Sequence, residues 1–188
     1  MQIIKFRITG TKPLLMHSDK FADPLNPATK AHKELTSKRK KSDEDHEAIA
    51  KSEWLGGLYY DEDLGPYLPG VMLDAVIVRG AKLSKLGTHV KRSVEVMDFK
   101  VPLVYDGPRT PQELWDARFY DARSVKVQAA RLMRYRPLFM SWSAEFDVVF
   151  DEESINQEQV VKCLVDGGLY AGIGDYRPKF GRFAVEVL

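Results

Sequence analysis

The sequence has a single cysteine, Cys163, and its four histidines show no metal-ligand spacing. A lone cysteine cannot form an intramolecular disulfide or a multi-cysteine zinc site. The sequence also contains no HExxH pair and no phosphate-binding G-x-x-x-x-G-K-[ST] loop. These absences argue against zinc hydrolases, P-loop nucleotidases and disulfide-stapled secreted domains. We therefore expect a protein of a reducing cytoplasm that uses no metal and no cofactor.

Long apolar runs are missing as well. The longest, such as residues 14–16 and 148–150, fall far short of the about 20 residues that a membrane-spanning helix needs. The first residues alternate apolar and polar side chains, which is typical of a β-strand of the mature protein rather than of a signal peptide. With 188 residues, 44% of them hydrophobic, the chain is expected to form one domain, residues 1–188, with no membrane partner.

Hydrophobic periodicity predicts an α+β protein. Alternation over residues 3–9 predicts the first strand, and caps at Asn26 and Ser42 open a helical insertion over residues 27–57, with a first helix to about Lys41. A hairpin follows, and then an amphipathic helix over residues 71–85. The apolar face of this helix is predicted to carry Val71, Ala75 and Val78, with Met72 and Val76 beside them.

Two strands are predicted within residues 94–104, a turn over residues 108–115, and a further strand pair near residues 123–136 and 144–150. In this pair the acidic Glu145 and Asp147 are expected to face Arg134 and Arg136 across the ladder.

A helix from about Asn156 is predicted to stop at a left-handed Gly167-Gly168 pair before a final strand. The complete order is compatible with a ferredoxin-like antiparallel sheet, as in RNA-recognition motifs, that bears helices on one face.

Positive charge is concentrated in four windows: residues 30–41, 79–92, 123–136 and 177–182. They hold 19 basic residues against one acidic residue, Glu34, which is a net charge of +18 in 46 residues. The other 142 residues carry 9 basic and 26 acidic side chains, although the whole chain is close to neutral at +1. If the windows converge in space, they form a groove for a polyanion. If they scatter, each is an ordinary solvated helix end or strand face.

Aromatic side chains lie among the basic ones, as Tyr135 and Tyr176 illustrate. Such interleaving suits single-stranded nucleic acid, because cations bind the phosphates while flat rings stack on unpaired bases. The residues expected to contact a strand are Lys38, Arg39, Arg79, Lys82, Lys91, Arg92, Lys126, Arg131, Arg134, Arg136, Tyr176, Arg177, Lys179 and Arg182. The sequence leaves open whether that strand is RNA or DNA.

Two segments resemble the RAMP superfamily, the backbone and processing subunits of CRISPR effector complexes. Residues 67–79 resemble its signature of a hydrophobic residue, Pro69-Gly70 and a helix ending in Arg79. Residues 172–183 look like its glycine-rich loop, with Gly172, Gly174 and Gly181 as the backbone glycines. The loop departs from the usual pattern, because a single glycine stands where the family closes with a pair. The chain also resembles small early-region proteins of tailed phages.

The resemblance implies an RNA-recognition-motif-like core with an inserted helical lobe, and sequence-tolerant binding of single-stranded nucleic acid. It also implies assembly of several copies along a strand, in the cytoplasm of a bacterial host. Physically, glycines at positive φ would let backbone amides approach phosphate while Arg177, Lys179 and Arg182 supply charge.

Two alternatives to a non-catalytic binding protein remain. Some RAMP proteins are metal-independent ribonucleases with a histidine near the end of the first strand region, and His17 occupies a comparable place. General acid–base cleavage would need a second group, for which Tyr59, Lys20 or Arg177 are candidates. The other alternative is a phage decoy that inserts into a host defence complex by resembling its backbone subunit.

Overall fold

The computed structural model of the chain describes residues 1–127 and 130–188. Gln128 and Ala129, within the strand pair predicted near residues 123–136, lie outside the described residues. The described part is an α+β protein with antiparallel sheets. Its strands are β1 (Gln2–Gly10), β2 (Leu14–Leu15), β3 (Tyr60–Asp61), β4 (Gly65–Pro69), β5 (Val94–Val96), β6 (Lys100–Pro102), β7 (Tyr120–Val127), β8 (Ala130–Phe139), β9 (Ser143–Phe150) and β10 (Phe183–Val187). Its helices are α1 (Pro27–Ser37), α2 (Asp43–Gly57), α3 (Gly70–Leu83), α4 (Gly87–Ser93), α5 (Pro111–Asp116) and α6 (Gln157–Asp166).

The chain forms two compact units. Unit 1 consists of Met1–Leu14, Tyr60–Asp106 and Met140–Leu188, and unit 2 consists of Leu15–Tyr59 and Gly107–Phe139. The helical insertion predicted over residues 27–57 lies within unit 2, together with α5 and the β7–β8 hairpin. The prediction that residues 1–188 form a single domain stays a prediction.

A four-stranded antiparallel sheet in the order β10-β1-β9-β5 organises unit 1. The predicted alternation in the first strand is confirmed, since Ile4, Phe6 and Ile8 are all buried. Phe146 and Val148 of β9 are buried as well. Because side chains of a strand alternate between its two faces, this single apolar face forms the core of the unit.

The partner predicted for β9 is wrong. β9 pairs with β1 and β5, whereas β8 pairs with β7. Glu145 therefore lies opposite Arg7, whose guanidinium contacts Glu145 at 2.8 Å and Glu186 at 2.9 Å, and it does not face Arg134 or Arg136. Alternation fixes which residues of a strand share a face, but it does not fix which strand lies beside it.

The buried face of α3 also differs from the predicted one. Leu73, Val76 and Ile77 are buried, whereas Val71 is 69% exposed. Gly80 decides this orientation, because a Cβ added there would lie 1.9 Å from the carbonyl oxygen of Cys163 in α6. The close approach of the two helices at Gly80 turns the Val71 side outwards.

The end of α6 is the third difference. Gly167 has the right-handed φ of −60°, so it does not terminate the helix, and the chain continues in a π-helical turn over Gly167–Ala171. Glycine is needed here for space, since a Cβ at Gly167 would lie 2.5 Å from the carbonyl oxygen of Val76. The first left-handed residue is Gly172, with φ of +71°.

In unit 2 the predicted helix starts are confirmed. Asn26 caps α1 ahead of Pro27, and Ser42 caps α2 through a reciprocal capping box with Asp45. α1 ends at Ser37, so residues 38–42 form a loop rather than the last turn of a helix. Trp54 of α2 is buried, and its indole Nε1–H donates a hydrogen bond of 2.9 Å to a backbone carbonyl of the same unit.

Residues 108–115 contain a helix rather than only the predicted turn. The Thr110 hydroxyl accepts a hydrogen bond from the backbone N–H of Glu113, and Pro111 occupies the first position of α5. A threonine cap followed by proline and by glutamate at the third helical position is a local start signal. The helix carries Trp115 to a half-buried position.

Candidate nucleic-acid interface

A groove lies between α3 and α4 in unit 1. Its volume is about 1060 Å³, and Val71, Ala75 and Val78 form an apolar strip along it. Five basic residues line the same groove: Arg79, Lys82, Lys85, Lys91 and Arg92. The structure thus brings together four residues expected to contact a strand and adds Lys85 to them.

The helix geometry explains how these cations converge. Arg79 and Lys82 are three residues apart on α3 and therefore share a face. The chain then reverses through Lys85, which has a left-handed φ of +61°, and α4 presents Lys91 and Arg92 in its last turn. Cations at helix C-termini also stabilise the helix dipole, which is a structural reason for their positions.

The groove carries uncompensated positive charge. Among the described residues, none of its five basic side chains forms an ion pair. Asp74 is the one carboxylate among the groove's lining residues. Its Oδ1 accepts a hydrogen bond of 2.8 Å from the backbone N–H of Val96, and burial raises the pKa of this carboxyl. An anion in the groove therefore meets five cations and a single half-buried acid.

The glycine-rich loop forms a second basic cluster of unit 1. Gly172, Gly174 and Gly181 all have positive φ, at +71°, +81° and +70°, and so does Tyr176 at +52°. Gly181 has no room for a side chain, because a Cβ would lie 1.7 Å from the carbonyl oxygen of Ile173. The expectation of left-handed glycines is therefore confirmed.

The amides of this loop, however, serve the fold. The N–H of Gly172 donates to the carbonyl of Gly167, that of Ile173 to Gly181, and that of Gly181 to Pro13. These groups are not available to cradle a phosphate, which corrects the expectation for two of the three glycines. What the loop offers to a ligand is its side chains.

Those side chains are basic and aromatic. Tyr176 is 49% exposed, and Arg177 and Lys179 are exposed beside it. Arg182 is half-buried, and its Nε has no hydrogen-bond partner within the described structure. The backbone N–H of Lys12 donates to the Arg182 carbonyl, so the segment just after β1 lies beside this cluster.

The two clusters of unit 1 lie at opposite ends of β1. Met1 lines a pocket together with Lys91 and Arg92, whereas the residues just after β1 bond to Arg182. β1 has nine residues, and a strand rises about 3.3 Å per residue, so its ends are about 26 Å apart. The windows over residues 79–92 and 177–182 therefore form two sites rather than one continuous groove.

The first window of unit 2 is partly compensated. Lys38 and Arg39 lie in the exposed loop between α1 and α2. The Lys38 ammonium contacts Asp45 at 2.5 Å, and the Lys41 ammonium donates to the Lys38 carbonyl. This run therefore presents fewer free cations than its sequence suggests.

The β7–β8 hairpin carries the second window of unit 2. Arg134 forms an ion pair with Glu53, and Arg136 lies opposite Asp121 in the ladder. Lys126 and Arg131 are exposed near the end of the hairpin. Of the hairpin cations expected to contact a strand, these two are the most accessible.

Sequence reasoning missed an aromatic notch in unit 2, which we define by Trp115, Tyr120 and Tyr135. The ring centroids of Trp115 and Tyr120 are 4.8 Å apart, and those of Tyr120 and Tyr135 are 5.7 Å apart. The notch has a volume of about 450 Å³. The sequence analysis includes Tyr135 among the aromatic residues near basic ones, but not Trp115. Trp115 lies beside Tyr135 because α5 is a helix, and the Thr110-Pro111 start signal predicts that helix.

Two groups considered as partners of His17 in acid–base chemistry, Tyr59 and Lys20, contact backbone carbonyls. The Tyr59 hydroxyl donates to the backbone carbonyl of His17 at 3.5 Å. The Lys20 ammonium donates to the carbonyl of Leu58 at 2.8 Å, and burial lowers its pKa. His17 itself is exposed.

Residues 1–127 and 130–188 contain no cluster of three or more histidine, cysteine, aspartate or glutamate side chains that could hold a metal ion. None of their helices is both long enough and apolar enough to cross a membrane. In comparisons with known proteins, the sequence matches no protein-family model and no curated protein.

Proposed function

We propose that the protein binds single-stranded nucleic acid without cleaving it, and that the α3–α4 groove of unit 1 is its main phosphate-binding surface. The observation that carries this proposal is the set of five basic side chains around one groove, none of which is ion-paired among the described residues. A polyanion binds most strongly where cations are grouped and are not already neutralised by carboxylates.

The order of the elements supports a ferredoxin-like core for this function. β1-α3-β5-β9-α6-β10 follows the order β-α-β-β-α-β, and the sheet order β10-β1-β9-β5 corresponds to two split βαβ units. In the segment that resembles the RAMP signature, Pro69-Gly70 opens α3, and Arg79 lies in the groove. The resemblance and the groove thus concern the same helix.

Single strands are favoured over duplex because the basic residues have apolar and aromatic neighbours. Val71, Ala75 and Val78 line the groove, and Tyr176 is exposed in the glycine-rich loop. Unpaired bases can bury a face against such side chains, whereas a duplex offers mainly phosphates. We expect single strands to bind at least about tenfold more tightly than duplex of equal length.

The test is a salt titration with a labelled single-stranded oligonucleotide. The salt slope is the slope of the logarithm of the binding constant against the logarithm of the salt concentration. Changing Arg79, Lys82 and Lys91 together to glutamine should reduce its magnitude by about 2, since each phosphate contact on a single strand contributes about 0.7. A matched control removes three compensated cations of the same unit, Lys5, Lys100 and Lys162, each of which contacts a carboxylate. If the magnitude of the salt slope falls equally in both variants, the effect depends only on net charge, and the assignment to the groove is overturned.

The same experiment separates the alternatives. A decoy that binds only protein would leave the oligonucleotide unshifted at about 50 mM salt, where phosphate contacts are strong. A ribonuclease would shorten RNA in the presence of a chelator, and His17→Ala would stop it.

On long strands, native mass spectrometry should show one further protomer per fixed number of nucleotides. A complex that stays at one protomer on every strand length would overturn the assembly.

A further inference from the structure

The geometry points to a nucleobase-binding site in the aromatic notch of unit 2, with a preference for guanine. This inference goes beyond the α3–α4 groove, because the notch lies in the other unit and recognises a base rather than a phosphate. Its ligand is the base of either a free nucleotide or a strand, and the experiment below distinguishes these sources.

The rings provide the stacking surface. Trp115, Tyr120 and Tyr135 are all half-buried, so each presents part of its ring to the solvent side of the notch. Trp115 is held from behind by the buried Trp54, at a centroid distance of 5.6 Å. Rings fixed in this way lose little conformational freedom when a base stacks on them.

The ring distances decide between two kinds of ligand. Three aromatic rings can enclose a quaternary ammonium group if they stand apart around it. Here the centroids of Trp115 and Tyr120 are 4.8 Å apart, so the two rings already touch. No cation fits between them, and a flat ligand on the outer surface of the cluster is favoured.

The charged groups of the notch favour a base edge over a phosphate. Glu47 and Asp116 line it, together with one guanidinium, that of Arg118. Both carboxylate oxygens of Asp116 accept hydrogen bonds from Gln112 at 2.9 Å. Glu47 is exposed and, within the described residues, makes no ion pair or hydrogen bond, so it is the carboxylate available to a ligand.

An ionised carboxylate only accepts hydrogen bonds. Guanine is the base that offers it two adjacent donors, N1–H and N2–H, and the pair forms a bidentate contact. Adenine places the N1 acceptor beside its exocyclic N6 amino group. A carboxylate oxygen is repelled by that acceptor. Arg118, which is exposed and follows the C-cap of α5, remains available for the nucleotide phosphate.

The experiment titrates the full chain with GMP, IMP and AMP and follows tryptophan fluorescence. IMP lacks only the N2 amino group, so it isolates one of the two proposed hydrogen bonds. We expect saturable quenching, with GMP binding about tenfold more tightly than IMP or AMP. Glu47→Gln should abolish this preference without unfolding the protein, because Glu47 is exposed. Glu158→Gln, at an exposed carboxylate of unit 1, is the matched control.

Tyr135→Leu should weaken all three nucleotides about tenfold, since stacking is common to them. Tyr170→Leu, at a tyrosine 58% exposed in unit 1, should change nothing. Absence of quenching up to about 10 mM GMP in wild type overturns the proposal. A protein that binds tetramethylammonium saturably but does not bind GMP overturns it as well. Retention of the guanine preference in Glu47→Gln overturns the role of Glu47.

A second arm identifies the source of the base. A uridine 20-mer with one central guanine should bind more tightly than the same strand with inosine if the notch reads a strand. Equal binding of both strands, with GMP still preferred over IMP, makes a free nucleotide the ligand. Since GMP binding needs no groove, its presence or absence is independent of the salt-slope result for Arg79, Lys82 and Lys91.

Discussion

Lys126 and Arg131 lie directly opposite each other in the β7–β8 hairpin. Like charges in this relationship destabilise an antiparallel pair. The other opposed cations of the hairpin, Arg123 and Arg134, are compensated by Asp121 and Glu53. Lys126 and Arg131 have no such carboxylate among the described residues, so an anion placed between them would relieve their repulsion.

Lys126→Thr should therefore stabilise the free protein at low ionic strength by about 0.2–1 kcal/mol, because it removes the opposed charge and threonine suits a strand. The gain should shrink in about 0.5 M salt, where charges are screened. Urea unfolding at both salt concentrations measures it. Lys40→Thr, in the loop between α1 and α2, is the control and should show no salt-dependent gain.

Neutralising the glycine-rich loop should weaken strand binding more than neutralising residues 38–40. Changing Arg177, Lys179 and Arg182 to glutamine predicts a loss of about 2 in the salt slope. The second variant, with glutamine at residues 38–40, should lose 1 or less, because Lys38 is already paired with Asp45. Circular dichroism must show both variants folded. Wild-type binding by the loop variant would make this segment purely structural.

Gly181→Ala tests the fold of the loop rather than its charge. The new Cβ would lie 1.7 Å from the Ile173 carbonyl, at a φ of +70° that side chains disfavour. We expect a loss of at least about 2 kcal/mol in the free energy of unfolding. Gly87→Ala is the matched control, since the atom nearest to its Cβ, at 2.9 Å, would belong to the flexible side chain of Lys82. Comparable losses in the two variants would contradict the close approach described here.

Asp74 makes both stability and strand binding depend on pH, and both should increase when its carboxyl is protonated. Burial raises the pKa of its carboxyl above the ordinary value of 3.8, so the folded state holds this proton more tightly than the unfolded chain. The contribution of Asp74 to stability is therefore greatest below pH 3.8 and is lost as the pH rises through the raised pKa.

Asp74→Asn keeps an oxygen acceptor for the Val96 N–H and removes the charge. The variant should be more stable than wild type at neutral pH, and this advantage should disappear in acid. Its affinity for a single strand should rise about two- to fivefold at about 50 mM salt, because the groove loses its acid. Unfolding curves at several pH values and oligonucleotide titrations measure the two effects. Lower stability at pH 7 would show that Asp74 is needed as a carboxylate.

Local signals in the sequence predicted the local structure. Asn26, Ser42 and Asn156 each cap a helix, because a cap involves only a few neighbouring residues. The same logic, applied to Thr110 and Pro111, would have found α5. The partner of β9 and the buried side of α3 depend on residues far away in the chain, so periodicity alone did not determine them.

The candidate site followed the same division. The cations at positions 79, 82, 91 and 92 converge because one helix–turn–helix segment carries them all. The windows over residues 79–92 and 177–182 lie at opposite ends of β1, which only the sheet reveals. The aromatic notch joins residues from α5, β7 and β8, and composition gives no sign of such a meeting.

The division of the chain into two units sets an order for folding during synthesis. Unit 2 is built from Leu15–Tyr59 and Gly107–Phe139, so its first segment leaves the ribosome well before its second exists. Unit 1 in turn waits for β10, whose last residue is Val187. Unit 2 has all of its segments only once Phe139 has been synthesised, and unit 1 has its complete sheet only once Val187 has been synthesised. Nascent chains stalled before residue 107 should therefore expose α1 and α2 to chaperones and proteases.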